Sequence, residues 1–190
     1  MKEKTLAELV TAAQSGDEEA TNELFTRLSP IIVRYCRARI SPNGRGHASA
    51  DDVAQEVFLA VLKALPRFQG AEEGFVPFVY GIAAHKVADH YRATGRDRTQ
   101  SATEPTDEPD PSPGPEQRAL TSDLGARMRT LLDQLPPIQR EIIVLRVAVG
   151  WTSTETAAAV GWSPTAVRVA QHRALGKLRR QLGPGSLGDW

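Results

Sequence analysis

The sequence predicts an all-α protein of two helical domains joined by an acidic, proline-rich connector. Three observations lead there. Apolar residues recur at three- and four-residue steps through most of the 190 residues, and no stretch shows the two-residue alternation of a strand. The segment TQSATEPTDEPDPSPGPE (99–116) holds five of the 13 prolines and no Lys, Arg, Ile, Leu, Val or aromatic residue. Such a segment can neither bury apolar surface nor sustain a helix, so it reads as a mobile, extended linker. Beyond it, two short helical patterns meet at a glycine with capping residues around it, the signature of a helix–turn–helix.

Composition narrows the class. Apolar residues at 41% and charged residues at 24% are those of a soluble globular chain. No apolar run approaches the ~18–20 residues that span a bilayer, and MKEKTLAELV lacks a signal-peptide core, so the expected location is cytoplasmic without membrane insertion. The single cysteine, Cys36, has no internal partner and is expected as a packed thiol. A net charge of zero conceals a division: residues 1–98 carry 13 basic against 13 acidic side chains, 99–117 none against five, and 118–190 ten against five. The basic C-terminal part points towards nucleic acid.

In the N-terminal domain, 1–97, helices are expected over 5–14 and 18–40, with Leu6, Leu9 and Val10, then Leu24, Leu28, Ile32 and Cys36, on their buried faces. A turn-rich loop, 41–50, leads to the most strongly patterned helix, Ala50 to Phe68. Ser49 is its N-cap, Asp51 and Asp52 place negative charge on its first turn, and Pro66 ends it. Ala54, Val57, Phe58, Val61, Leu62 and Leu65 share the expected core face. The opposite stripe holds Asp52, Gln55, Glu56, Leu59 and Lys63, and a leucine amid those polar residues is a clue to a docking surface. After a glycine-bearing loop at 68–75, a helix from Val76 to Thr94 is expected to bury Val79, Tyr80, Ala83, Val87 and Tyr91. His85, Asp89, Arg92 and Arg96 fall on its polar face.

The linker is placed at 98–118, a second domain at 119–183 and a tail at 184–190. A helix over 120–135 stops at Pro136-Pro137, and another over 138–149, with Ile142, Ile143, Leu145 and Val149 inward, ends at Gly150. Thr152 and Glu155 form a capping box, Gly161 takes the left-handed C′ position, and Ser163 and Pro164 start the second helix of the pair. Ala157, Ala158 and Ala159 allow close approach of the two helices. On the second helix Val167, Ala174 and Leu178 face inward, while Thr165, Arg168, Val169 and His172 face outward where a major groove is read. Arg168 can donate twice to a guanine edge, and Thr165 or Val169 can touch a thymine methyl. Arg173, Lys177, Arg179 and Arg180 suit phosphates, which position a helix without reading sequence. No acid lies between Glu155 and Asp189 to offset these charges.

Taken together, DDVAQEVFLAVLKALPRF, FVPFVYGIAAHKVADHYR and LPPIQREIIVLRVAVGWTSTETAAAVGWSPTAVRVAQHRALGKLR closely resemble regions 2.2, 2.3–2.4 and 4 of the extracytoplasmic-function (group 4) sigma factors of the sigma-70 family. Among these the chain looks like the actinobacterial SigD/ShbA type. The resemblance implies a dissociable subunit of bacterial RNA polymerase that directs promoter-specific initiation. It implies that Asp51, Asp52, Gln55, Glu56 and Leu59 dock on the β′ clamp helices of core polymerase, and that the C-terminal domain sits on the β flap and reads the −35 element as duplex. The N-terminal domain would hold the melted non-template strand of the −10 element, with Phe75, Phe78, His85, Lys86, Arg92 and Arg96 as candidate contacts. Base capture needs an aromatic or apolar pocket and the strand needs cations. The chain departs from the family pattern at His85, where Asn is frequent, and in Val167-Arg168-Val169-Ala170-Gln171, where V-K-S-R-L is frequent; the latter bears on which −35 bases are read. Regulation would be external, through a possible anti-sigma factor.

Two other function classes compete. A stand-alone helix–turn–helix regulator accounts for 120–190 but leaves the region 2 resemblance unexplained. A Mg²⁺-dependent phosphohydrolase would start from Asp51, Asp52 and Glu56 but needs a second facing carboxylate cluster, which Glu72, Glu73 and Asp89 do not supply. His85 and Asp89, an i,i+4 pair, give two ligands only, too few for a metal site. No nucleophile–base constellation or phosphate-cradling glycine motif is present, so neither an enzyme nor a cofactor is expected.

Overall fold

Helix-forming sequence builds the elements of the computed structural model, which describes residues 4–40, 48–70, 74–97 (side chains through 94), 125 and 127–182. The expected linker 98–118, most of the loop 41–50, Glu72 and Glu73, the Arg96 side chain and the tail 184–190 lie outside them. All regular elements among the described residues are helical, and the chain divides into two units, Met1–Ala102 and Thr103–Trp190.

In the first unit, α1 (Leu6–Gln14) opens on a capping box in which Thr5 accepts from the Glu8 N–H while the Glu8 carboxylate accepts from the Thr5 N–H. Helix α2 (Glu18–Arg39) is capped by Asp17, and α3 (Ala50–Ala64) by Ser49. The chain then makes a 3₁₀ turn, Leu65–Arg67, before α4 (Phe75–Asp97). Leu9, Leu24, Leu28, Ile32, Cys36, Val57, Val61, Leu65, Phe75 and Val87 form the dry centre.

Two expected core residues are not in it. On α3, Leu62 stands 46% exposed. At 100° per residue it lies about 140° from Val57, the centre of the buried arc, beyond the reach of either neighbouring helix. Val53, about 40° to the other side, takes its place in the core at 2% exposure. On α4, Tyr91 is half-exposed, because α2 ends at Arg39 and its phenol instead donates to the Arg39 carbonyl.

The second unit contains α5 (127–133), α6 (Pro137–Ile143) running on into a π-helical turn (Val144–Val149), α7 (Ser153–Val160) and α8 (Pro164–Leu182). Pro136 and Pro137 end one helix and begin the next, where a missing N–H costs nothing. Gly150, at φ 88°, closes the π-helical turn, and the Trp151 N–H returns to the Leu145 carbonyl at 3.0 Å. Leu135, Ile143, Ala174 and Leu178 pack together, as do Ile142, Ala157, Val167 and Ala170, so α8 is held along its whole inner face by α5, α6 and α7. Of the three alanines expected between α7 and α8, only Ala157 is buried; Ala158 points outward and Thr156 fills the remaining inner position.

Burial pushes the Cys36 thiol up to about 11, with the Asp51 charge adding to the effect. Because the thiolate is the reactive form, Cys36 should stay unreactive towards a disulfide reagent at pH 8 in the folded protein. It should titrate fully in guanidinium chloride; rapid reaction without denaturant would contradict this burial.

Candidate nucleic-acid interface and docking face

Helix α3 is covered on two flanks. On one, Phe25 of α2 meets Phe58 edge-on at 5.9 Å, and Arg37 of α2 donates from Nε and an Nη to the two Asp51 carboxylate oxygens at 2.9 and 3.0 Å. On the other, Lys86 of α4 donates to Glu56 at 3.0 Å. Between them Leu62, Gln55 and Leu59 stand open at about 140°, 160° and 200° from Val57. Leu59 is 57% exposed. The expected stripe is therefore present and wider by Leu62, while its carboxylates are already engaged. Asp52 caps the helix, accepting from the Ser49 N–H and Oγ at 2.8 Å each, and these bonds hold its carboxyl below the ordinary range. Asp51 is lowered likewise by the Arg37 hydrogen bond. Its contribution is present above the ordinary carboxylate pKa and is lost as pH falls through the lowered one, but both partners are mostly exposed, limiting it to ~0–1 kcal/mol. Asp51, Asp52 and Glu56 thus turn to three different partners. Among the described residues no group of three or more His, Cys, Asp or Glu is placed to hold a metal ion.

On α4, Phe78, His85 and Arg92 follow at seven-residue steps, so they line one face about 10 Å apart. Asp89 lies between the two basic residues: His85 Nε2 is 3.3 Å from its carboxylate, and Arg92 donates to it. The Arg92 hydrogen bond, then the His85 charge, hold the Asp89 carboxyl low. Phe78 and Phe68 lie 4.9 Å apart, both half-buried, over Phe75 at 6.1 and 5.2 Å. Phe75 itself is fully buried and offers no face to a base. That corrects its expected place among the direct contacts: it is the floor beneath the other two rings, and Phe68 takes its place at the surface. Sequence reading also passed over Gln14. Its amide donates to the Leu65 carbonyl at 3.0 Å and the Phe68 carbonyl at 2.8 Å, fixing the backbone that carries Phe68. A lone Gln at the end of α1 gives no sequence signal of a bond 51 and 54 residues away.

In the second unit the capping box of α7 is complete, Gly161 sits at φ 71°, and Ser163 Oγ accepts from the Ala166 N–H at 3.2 Å to start α8. Thr165, Arg168, Val169, His172 and Arg173 are all exposed along α8. The Arg168 guanidinium is steadied by Thr165 Oγ1 at 3.1 Å and by Ser153 Oγ of α7 at 3.3 Å, a second residue that the sequence did not single out. Lys177 donates to the Gln134 carbonyl at the end of α5, so one of its donors already serves the fold. Gln171 accepts from Arg146 Nε at 2.9 Å, and Ala170 is buried against Ile142, Ala157 and Val167. Ala170 and Gln171, two of the positions that depart from the V-K-S-R-L pattern, are thus packing positions in this chain.

Two family descriptions match: Sigma-70 region 2 over residues 24–97 and Sigma-70, region 4 over residues 126–178. SigD of Mycobacterium tuberculosis, an extracytoplasmic-function sigma factor, is 50% identical over 182 residues, covering 96% of this chain and 86% of SigD. This chain belongs to the sigma-70 family. A second extracytoplasmic-function sigma factor, ShbA of Streptomyces griseus, is 50% identical over 177 residues, covering 90% of this chain and 92% of ShbA. Among solved structures, CnrH in complex with the cytosolic domain of CnrY superposes with a TM-score of 0.65 at 27% identity, covering 92% of this chain and 94% of CnrH. The sigma factor's region 2 match runs from Leu24 within α2 through α3 and α4, and the region 4 match runs from α5 to Leu178 within α8. Helix α1 with its Gln14 clamp precedes the first of them. No helix among the described residues is long and apolar enough to cross a membrane.

The turn between α7 and α8 gives a direct prediction. Gly161→Ala places a side chain in the left-handed region and should destabilise the C-terminal unit by roughly 1 kcal/mol. Denaturant unfolding followed by tryptophan fluorescence checks this, and an unchanged midpoint would count against the geometry of the turn.

Proposed function

We propose that this sigma factor docks on the β′ clamp helices of core RNA polymerase through the open face of α3 and directs promoter-specific initiation. The observation that carries this reading is that face: Gln55, flanked by Leu59 and Leu62 at 57% and 46% exposure, inside the region 2 match. Exposed leucines in a polar stripe are the mark of a surface that a partner covers. The acids Asp51, Asp52 and Glu56 border it and supply orientation. The C-terminal unit, taken as 119–183, sits on the β flap with the outer face of α8 in the major groove of the −35 element. There Arg168 is the principal base contact, Thr165, Val169 and His172 are its neighbours, and Arg173 and Lys177 lie against phosphates. The N-terminal unit, taken as 1–97, holds the melted −10 strand. Phe68 and Phe78 provide the stacking surface over Phe75, His85, Lys86 and Arg92 face its phosphates, and Arg96 is assigned to the same strand from the sequence alone. Residues 98–118 join the two.

No bond is made or broken by the chain in this reading; the chemistry is the polymerase's. An anti-sigma factor is a further expected partner, supported by the solved pairing of CnrH with the cytosolic domain of CnrY.

The test is initiation from promoter DNA by purified core polymerase. Asp52 caps α3, so the docking variant leaves it in place: Gln55→Ala/Leu59→Asp should abolish initiation and polymerase binding with little change in melting temperature. Tight duplex binding without any polymerase association would favour a stand-alone helix–turn–helix regulator instead. In the same assay Arg168→Ala should lower initiation by about 10-fold or more, the ~1–3 kcal/mol of a bidentate base contact, with polymerase affinity unchanged. Loss of polymerase binding in that variant would overturn the division of labour.

A further inference from the structure

The ion pair between Glu56 and Lys86 joins two surfaces to which the proposed function gives separate tasks. Glu56 borders the docking face of α3, and Lys86 belongs to the cations offered to the −10 strand by α4. Their charged atoms are 3.0 Å apart, and their side chains are 55% and 30% exposed, so each is accessible to an incoming partner. The nearby carboxylate on α4, Asp89, is held by Arg92 and His85, leaving Glu56 as the acceptor for the Lys86 ammonium in the free chain. A lysine paired with a carboxylate gives up some of its attraction for phosphate, and a paired carboxylate gives up some of its attraction for a second cation. The docking face itself, with Asp52 and Glu56 beside Leu59 and the single cation Lys63 between them, carries more acid than base and is complementary to a surface that is apolar and cationic.

We propose that Lys86 and a cationic side chain of core polymerase compete for Glu56, so that docking turns Lys86 over to the backbone of the single strand. This rests on the docking reading above. Polymerase binding and strand binding are then coupled through one pair, and the coupling is reciprocal. Its size is that of an exposed ion pair, about two- to fivefold, which tunes the order of assembly and does not act as an on–off switch.

The signature is two effects of opposite sign in each variant. Full-length protein is titrated with core polymerase and, separately, with fluorescent oligo-dT, whose phosphates report the backbone term without sequence. Lys86→Met should bind polymerase about two- to fivefold more tightly while binding oligo-dT more weakly. Glu56→Gln should bind polymerase more weakly while the free chain binds oligo-dT about two- to fivefold more tightly. The gain in polymerase affinity from Lys86→Met should vanish in the Glu56→Gln background, as a shared interaction requires. A pair that only holds α4 against α3 would instead lower both affinities and the melting temperature in both variants, and that result would overturn the competition. So would a Lys86→Met gain that persists without Glu56, or no gain at all. Failure of the underlying reading looks different: wild-type protein would not bind polymerase, or its binding would ignore Gln55→Ala/Leu59→Asp.

Discussion

The packing of α2 and α4 against the two flanks of α3 is the constraint on which the N-terminal unit depends. Val53, Ala54, Val57, Val61 and Leu65 are buried between them at 0–2% exposure, and Phe25–Phe58, Arg37–Asp51 and Glu56–Lys86 seal the margins. Two neighbours can cover only a fraction of a helix about 10 Å across, so a strip remains open. The open strip is therefore a consequence of the core and not a separate feature added to it. On α4, His85 and Arg92 stand exposed to solvent, while Lys86 is drawn to Glu56 of α3. One helix interface thus sets both the open strip of α3 and the pairing of Lys86 on α4.

The two units handle charge differently. In the N-terminal unit Arg37, His85, Lys86 and Arg92 each have a carboxylate within 3.3 Å or closer. These pairs are exposed, so each is worth little and is readily exchanged for a contact with a partner. On α8 no carboxylate follows Glu155 within the described residues, and the partners of Arg168 are the hydroxyls of Ser153 and Thr165. Neutral partners orient a guanidinium without offsetting its charge. In the proposed reading of the −35 element, orientation would carry specificity and net charge would carry attraction to the duplex. Gln171, a turn further along α8, has a comparable role: it holds Arg146, which in turn donates to the Trp151 carbonyl ahead of α7.

Local features were legible in the sequence because their causes are local. The capping box at Thr152–Glu155, the Ser49 N-cap and the Ser163-Pro164 start involve residues no more than three apart, and the left-handed Gly161 is equally local. The exposed face of α8 was legible for the same reason, its periodicity being complete over 19 residues. Leu62, Tyr91 and Phe75 were misplaced because burial depends on where a neighbouring helix stops or which side it approaches from. Helix α2 ends before it can cover Tyr91; no helix reaches Leu62; Phe68 and Phe78 close over Phe75. Gln14 and Ser153 were invisible, since each acts through a contact 15 or more residues away on a different helix.

By itself, the sequence determined that this protein is helical, that its two units carry different charge, and that one of them ends in a helix–turn–helix with an outward basic face. Periodicity, capping and composition act within a few residues, so they survive without a fold. Which leucines stay open on α3, which aromatic rings remain at the surface of the Phe68–Phe78 cluster, and which cation pairs with an acid on another helix were decided only in the tertiary structure. Those outcomes depend on the finite reach of neighbouring helices and on charges brought together from distant stretches of the chain. The pairing of Glu56 with Lys86, 30 residues apart, is the plainest instance.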